Sequence, residues 1–225
     1  WLKSLGSERG TRIAVRPLLH RSRSVLPATP VMGALCTRLR ERAVRLQISI
    51  FGLHDQKVMI IGLDGAGKST LLYKVTRGEI LAAPQTTVGF NIEMLERNWV
   101  HLTFWDCGGK EKVRELWHHY FHALRGIIFV VDSFDRDRLQ LAAAELHRIL
   151  KHEELKNTPV LIYANKQDLP NTLTAAEVSD GLKLASIRSH PCFLQNASAF
   201  TGDGLEAGLD WLVQQIQLQY RGSAR

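Results

Sequence analysis

Several features that would narrow the function of this 225-residue chain are missing from its sequence. No apolar run approaches the roughly 20 residues that cross a bilayer, so any membrane attachment is expected to be peripheral. The 3 cysteines, Cys36, Cys107 and Cys192, lack the paired spacing of a metal site and the density of a disulfide scaffold. This cysteine usage favours a reducing compartment. The sequence also has no internal repeat and no low-complexity tract.

Most of the chain also lacks net charge, although the whole sequence carries +7. Residues 1–55 hold 10 Lys and Arg against 3 Asp and Glu, whereas residues 56–225 hold 19 of each sign. A neutral folded part argues against a nucleic-acid-binding face. The basic N-terminal part is instead expected to meet an anionic surface, for which a membrane is the first candidate.

The N-terminal residues 1–31 are rich in Arg and Ser, contain one acidic residue and show no sustained periodicity. This composition predicts a disordered segment. Because the sequence begins with Trp1 and not with methionine, the segment is expected to be either part of a longer chain or a non-native extension. An organellar transit peptide is the alternative interpretation.

Residues 32–55 have the pattern of a basic amphipathic helix. Arg38, Arg42 and Arg45 lie around one apolar face, which comprises Leu35, Leu39, Ala43, Leu46 and Ile50. Such a helix is suited to a membrane interface, and docking on the domain's own surface is the alternative. If Met32 is the true start, the match to M-G-x-x-x-[ST] that begins there predicts myristoylation of Gly33.

Strand and helix patterns alternate from about residue 56 to residue 219. Strands are predicted at 57–63, 90–95, 100–106, 126–132, 160–165 and 192–195, and helices at 68–77, 111–123, 136–152, 174–184 and 205–219. This alternation predicts an α/β fold with a mostly parallel six-stranded sheet and helices on both faces. The turn at Arg97-Asn98 predicts one antiparallel strand, and residues 220–225 are expected to form a short tail.

The segment from Gly62 to Ser69 is a complete G-x-x-x-x-G-K-[ST] between a predicted strand and a predicted helix, which indicates a P-loop. Its backbone N–H groups and the helix N-terminus favour phosphate. Lys68 is expected to reach the β and γ phosphates, and the Ser69 hydroxyl to bind Mg²⁺. The predicted phosphate-binding residues are Gly62, Asp64, Gly65, Ala66, Gly67, Lys68, Ser69 and Thr70.

Asn165-Lys166-Gln167-Asp168 follows an apolar strand and is expected at the carboxyl edge of the sheet, where open α/β folds bind ligands. The Asp168 carboxylate can accept the N1–H and the N2 amine of guanine, a donor pair that adenine lacks. The Lys166 stem can cover the ring, and Asn165 can tie this loop to the P-loop. Ser198 and Ala199 precede the last helix, and the Ala199 N–H is expected to bind the guanine O6.

With three further motifs, the sequence resembles the Arf and Arf-like branch of the small GTPases over about residues 32–219. Those motifs are Thr87-Val88-Gly89-Phe90-Asn91, Trp105-Asp106-Cys107-Gly108-Gly109 and Gly202-Asp203-Gly204-Leu205. The resemblance implies a small-GTPase domain over 56–219, acting as a monomeric switch in vesicle trafficking that is soluble with GDP and membrane-bound with GTP. It also implies a cytoplasmic protein, peripheral on Golgi or endosomal membranes, and makes Met32 the expected start.

The resemblance further assigns roles in the segments that would sense the nucleotide. Thr87 and Asp106 would join Ser69 around Mg²⁺, and the Gly109 N–H would meet the γ-phosphate. Phe90, Trp105 and Tyr120 match an exposed aromatic triad that binds effectors, although aromatic residues on strands more often belong to the core. The implied partners are an exchange factor, a GTPase-activating protein and effectors.

Lys110 departs from the family pattern, which has a glutamine here to position the attacking water. Glutamine offers a donor and an acceptor, whereas an ammonium group has donors only. We therefore expect slow hydrolysis of GTP and a poor response to an activating protein. The predicted catalytic residues are Lys68, Thr87, Gly109 and Lys110. Two alternatives to slow hydrolysis are that a partner supplies the missing group and that Lys110 reflects an aberrant sequence. Two alternative functions are a scaffold that holds GTP without useful hydrolysis and, least favoured, a nucleotide kinase.

Overall fold

The computed structural model describes residues 55–80 and 86–223, with side chains up to residue 219. The predicted N-terminal extension, the amphipathic helix with Gly33 and the end of the tail lie outside the described residues. Within the described ranges, no helix is both long and apolar enough to pass through a bilayer.

The strands are β1 (Gln56–Ile61), β2 (Phe90–Arg97), β3 (Val100–Cys107), β4 (Leu124–Asp132), β5 (Val160–Asn165) and β6 (Cys192–Asn196). The helices are α1 (Lys68–Arg77), α2 (Glu111–Arg114), α3 (Leu139–Ile149), α4 (Ala175–Gly181) and α5 (Leu205–Ser223). Short 3₁₀ helices occupy Trp117–Tyr120, Glu153–Leu155 and Leu184–Ser186. The last helix thus runs four residues beyond its predicted end.

The six strands form one sheet in the order β2-β3-β1-β4-β5-β6. Only β2 runs antiparallel, paired with β3 from Phe90 opposite Cys107 to Arg97 opposite Val100. The carboxyl ends of the parallel strands meet at one edge, where Ile60 lies beside Asp106 and Asp132 beside Asn165. The predicted mostly parallel sheet with one antiparallel strand is confirmed.

Helices cover both faces because successive side chains of a strand point to opposite sides. In β1, Val58 and Ile60 belong to a core with α1 and α5, whereas Met59 and Ile61 belong to a second core with α3 and α4. All four side chains are fully buried. The central strands are therefore continuous apolar runs, as expected where both faces are covered.

The structure replaces the predicted helix at 111–123 with α2 and the separate 3₁₀ helix at 117–120. The break follows from tertiary contacts, because the buried Trp117 ring donates from Nε1 to the Gly108 carbonyl at 3.0 Å. Ala123 then takes a positive φ of 59° before β4 begins. The hairpin turn between β2 and β3 also lies one residue later than predicted, at Asn98-Trp99, where both residues have positive φ.

Candidate functional site

The P-loop connects β1 to α1 through glycines that no other residue can replace without strain. Gly67 has a φ of 91°, and a Cβ there would lie 2.4 Å from Asn165 Nδ2. Gly62 has a φ of 143°, and a Cβ there would lie 2.2 Å from the Val130 carbonyl oxygen. The loop backbone therefore lies directly against β4 and against Asn165 at the end of β5.

Lys68 is the first residue of α1, and its side chain is buried inside the P-loop. Its ammonium donates to the carbonyl oxygens of Leu63 at 2.8 Å and Gly62 at 3.1 Å. Burial lowers the Lys68 pKa to about 8, while the charge of Asp106 opposes that shift. A buried cation at the start of a helix that follows a glycine-rich loop is suited to bind phosphate.

A cavity of about 250 Å³ lies over the P-loop. Nine of its ten lining residues were predicted site residues, and Thr86 was not. Its lining is Asp64, Gly65, Gly67, Lys68, Ser69, Thr70, Thr86, Thr87, Gly109 and Lys166. Among the described residues, Gly109 lines the cavity whereas Lys110, exposed at the start of α2, does not.

The three predicted Mg²⁺-shell residues are within hydrogen-bond distance of one another. The Ser69 hydroxyl donates to Asp106 Oδ2 at 2.5 Å and lies 2.9 Å from Thr87 Oγ1. Asn91, which sequence reasoning did not assign to this site, donates to the same carboxylate oxygen at 3.1 Å. Burial raises the Asp106 pKa, opposed by the hydrogen bonds from Ser69 and Asn91.

Asp106 Oδ1 is the feature that tests whether Mg²⁺ fits this cluster. The residue is fully buried, and no described group hydrogen-bonds to that oxygen. A buried carboxylate oxygen without a partner is costly, and a hydrated cation would satisfy it. One carboxylate with two hydroxyls is also a fitting donor set for Mg²⁺, which keeps several waters and takes phosphate oxygens.

The loop after β5 is joined to the P-loop by the Asn165 side chain. Asn165 Nδ2 donates to the Ala66 carbonyl at 2.8 Å, and Asn165 Oδ1 accepts from the Ala199 N–H at 2.8 Å. The Ala199 N–H, which was predicted to meet guanine O6, therefore bonds within the protein here. The Ser198 hydroxyl donates to Asp168 Oδ1 at 2.6 Å and fixes that exposed carboxylate.

Two charged partners of the nucleotide loops were missed by sequence reasoning. Asp132, at the end of β4, pairs with Lys166 at 2.5 Å. Arg138, just before α3, reaches Asp64 of the P-loop at 3.3 Å. The position of Asp132 at the carboxyl end of an apolar strand was a usable signal, whereas nothing local marked Arg138.

The predicted aromatic triad assembles on the surface beside β2. Phe90 lies 5.0 Å from Trp105 and 5.4 Å from Tyr120 between ring centroids, and it is 41% exposed. Lys57 supports the triad, because its ammonium lies 4.6 Å from the Trp105 ring centroid and donates to the Tyr120 carbonyl at 2.7 Å. The exposed Val88, Ile92 and Met94 extend this apolar surface.

The sheet order, the P-loop and the loop after β5 together define a small GTPase of the P-loop class. The sequence model of the ADP-ribosylation factor family matches residues 45–216, and the chain belongs to that family. Its members generally hydrolyse GTP. The predicted small-GTPase fold and Arf-type family are thereby confirmed.

A solved structure that this chain resembles is the Arl6 BBS3 small GTPase from Trypanosoma brucei with the bound nucleotide analogue GppNp. The two are 34% identical with a TM-score of 0.67, over 74% of this chain and 99% of that chain. This likeness is consistent with a GTP-binding switch.

Proposed function

We propose that this chain is a GTP/GDP switch that hydrolyses GTP slowly and recruits effectors at a membrane surface. The observation that carries the proposal is the contact between Thr87, Ser69 and Asp106 across the phosphate cavity. It brings a residue from the segment before β2 to the P-loop and to the end of β3. A ligand that bridges these three elements orders them together.

Ser69, Thr87 and Asp106 hold Mg²⁺ in this proposal. Bound there, the cation supplies positive charge to the β and γ phosphates. Lys68 releases the carbonyls of Gly62 and Leu63 and turns to the same phosphates, and the Gly109 N–H meets the γ-phosphate. Asp168 accepts from the guanine N1–H and N2 amine, Lys166 covers the ring, and Ser198 keeps the carboxylate oriented.

Lys110 accounts for the slow hydrolysis. Its ammonium has no acceptor for the proton of an attacking water, and its side chain lies outside the cavity lining. A side chain that is positioned to accept this proton contributes about 10²–10⁴-fold to the rate of a reaction. The chain therefore stays long in its GTP form and responds weakly to a GTPase-activating protein.

Single-turnover hydrolysis of bound GTP tests this part of the proposal. The Lys110→Gln variant is expected to hydrolyse GTP about 10²-fold faster than the unmodified chain. Lys112→Gln, which removes another exposed lysine two residues further on, is the matched control and is expected to leave the rate unchanged. Equal rates for Lys110→Gln and the unmodified chain would contradict slow hydrolysis caused by Lys110.

A hydrolysis-deficient scaffold that holds GTP and recruits effectors is the second candidate, and Lys110 favours it. The two functions differ in the fate of the nucleotide. GTP that remains bound without decay over many hours supports the scaffold, whereas slow conversion to GDP supports the switch.

Effector recruitment and membrane attachment complete the proposal. The triad, with Phe90 exposed and Trp105 and Tyr120 half-buried, lies on β2, β3 and the 3₁₀ helix Trp117–Tyr120. It is beside the segments proposed to bind the nucleotide, so a nucleotide-dependent effector fits that surface. The basic amphipathic pattern of residues 32–55 and the Gly33 signal support peripheral attachment of a monomer to Golgi or endosomal membranes. Mass spectrometry of the mature N-terminus tests this part, and a chain that retains residues 1–31 excludes myristate on Gly33.

A further inference from the structure

Gly109 is confined by the backbone of the P-loop. A Cβ there would lie 2.4 Å from the Asp64 nitrogen and 2.6 Å from the Gly62 carbonyl oxygen. Because real Cβ atoms do not approach so closely, only glycine fits, and its Cα has little room to shift. The freedom that remains is the orientation of the two peptide planes on either side of Gly109.

The peptide plane before Gly109 is fixed by Trp117. The indole Nε1 donates to the Gly108 carbonyl at 3.0 Å, and the Trp117 side chain is fully buried in the core under α3. In a trans peptide the carbonyl and the following N–H point in opposite directions. The bond to Trp117 therefore turns the Gly109 N–H away from the core, and Gly109 lines the phosphate cavity.

The peptide plane after Gly109 is fixed by Arg114. Its Nη1 donates to the Gly109 carbonyl at 2.9 Å, and only 6% of the residue is exposed. Arg114 Nε forms an ion pair with Glu145 Oε1 on α3 at 3.3 Å without a hydrogen bond between the two atoms, and Arg148 donates to Glu145 Oε2 at 2.7 Å. A buried guanidinium needs such a partner, so Glu145 indirectly determines where Arg114 holds the Gly109 carbonyl.

We propose that Arg114, Trp117 and Glu145 form a latch that presents the Gly109 N–H to the γ-phosphate of GTP. The three are positioning residues that act through Gly109. The latch and GTP stabilise each other, whereas GDP lacks the γ-phosphate that the Gly109 N–H would bind. This inference rests on the proposed GTP/GDP switch and deepens it, because it makes the preference for GTP depend on α3.

Dissociation rates of fluorescently labelled GDP and of a labelled non-hydrolysable GTP analogue, both in Mg²⁺, test the latch. Glu145→Gln keeps the size of the side chain but removes the charge that holds Arg114. The analogue is expected to dissociate about tenfold faster from this variant, and GDP at less than about twice its normal rate. Glu206→Gln is the matched control, because Glu206 pairs with Arg97 on the hairpin and is expected to change neither rate.

Arg114→Lys is the second variant. It keeps a buried cation, but one ammonium cannot reproduce the separate Nη1 and Nε contacts to Gly109 and Glu145. The same selective loss of the GTP analogue is expected. A melting temperature measured with GDP bound reports whether each variant is folded.

The outcomes separate the latch from a structural role and from the proposed function. Rates that rise by the same factor for both nucleotides, or that do not change, would overturn the latch while the unmodified chain still binds both. An unmodified chain that binds neither nucleotide would overturn the proposed function, and the latch with it. A selective loss of the analogue in both variants supports the latch.

Discussion

The guanine side and the phosphate side of the candidate site are built differently. On the guanine side, the polar groups of Asn165, Ala199 and Asp168 already pair with protein partners at 2.6–2.8 Å. On the phosphate side, Asp106 Oδ1 is buried with no described partner, and the Lys68 ammonium rests on the carbonyls of Gly62 and Leu63. The departure from the family pattern, Lys110, also falls on the phosphate side.

This difference implies that substitutions can change the binding of guanine nucleotides in general separately from the preference for GTP over GDP. In the proposed function, a loop that is ordered by its own hydrogen bonds would hold the base of GTP and GDP alike. A cluster that contains a buried carboxylate oxygen without a described partner gains from the ligand that supplies one, and can therefore respond to one phosphate more or less. Substitutions on the guanine side should weaken both nucleotides equally, and those on the phosphate side should affect GTP selectively.

Asp168→Asn is expected to have the largest effect. An amide cannot accept two hydrogen bonds from guanine as a carboxylate does, and loss of charged hydrogen bonds of this kind corresponds to about 10²–10⁴-fold in affinity. The loss should be equal for GDP and for a GTP analogue, as measured by equilibrium titration. Xanthine nucleotides, which carry a carbonyl in place of the N2 amine, should bind the variant better than guanine nucleotides do. An unequal loss for GDP and the analogue would break the proposed separation.

Gly67→Ala is expected to affect both sides of the site, because Gly67 of the P-loop lies against Asn165. Alanine at a φ of 91° is strained by about 1–2 kcal/mol, and its Cβ would displace the Asn165 amide from Ala66. Both nucleotides should weaken, and the free energy of unfolding of the nucleotide-free protein should fall by at least about 1 kcal/mol. Denaturant unfolding measures this. Gly78→Ala is the control for nucleotide binding: its φ of 70° carries a similar strain, but no described atom beyond its own chain neighbours lies within 4 Å of the Cβ, so nucleotide affinity should not change.

The sequence predicted the sites whose residues and surroundings are local. The P-loop motif contains the turn, the lysine and the start of α1, and the predicted bounds of α1 and β5 match the structure. The position of the loop that is proposed to bind guanine was equally predictable, because this loop directly follows an apolar strand. The family resemblance then indicated Thr87 and Asp106, which the structure brings together with Ser69, and the aromatic triad, whose three rings contact one another.

Contacts between distant segments were not predictable in the same way. The helical pattern at 111–123 says nothing of the bond between Trp117 and Gly108, which interrupts the helix. Glu145 lies 31 positions after Arg114, so their pairing depends on how α3 packs. The Ala199 N–H was expected to meet guanine, and the structure shows that Asn165 competes for it.

Thr87→Ala is expected to have a smaller and selective effect on the phosphate side. It removes the hydroxyl that lies 2.9 Å from Ser69 Oγ at the proposed Mg²⁺ site. A GTP analogue should dissociate about fivefold to tenfold faster in Mg²⁺, and GDP at an unchanged rate. Thr76→Ala is the control, because the bond that its hydroxyl makes within the described residues is to the Leu72 carbonyl of α1. Equal acceleration of both nucleotides by Thr87→Ala would remove the distinction between the two sides.

The smallest expected effect is on the stability of the folded protein in mild acid. It involves His190, which lies just before β6. His190 is 6% exposed, and its Nε2 lies 2.9 Å from the Leu155 carbonyl oxygen. Burial lowers the pKa of His190 below its ordinary value of 6.5. The unfolded chain therefore takes up the proton first, so this contribution to stability is complete above pH 6.5 and is lost as the pH falls through the folded pKa.

His190→Gln tests that contribution, because a glutamine amide can still donate to Leu155 but does not titrate in this range. Between pH 7 and pH 5, the unfolding free energy of the unmodified chain should fall more steeply than that of the variant, by at most about 1.4 kcal/mol per pH unit. Urea unfolding at each pH measures the two slopes. Parallel slopes would show that His190 does not contribute. His190 contacts Leu155 and no residue of the phosphate side that the structure describes. The GTP-to-GDP preference at pH 7 should therefore be the same in both proteins, and a change in it would mean that His190 and the phosphate side are coupled.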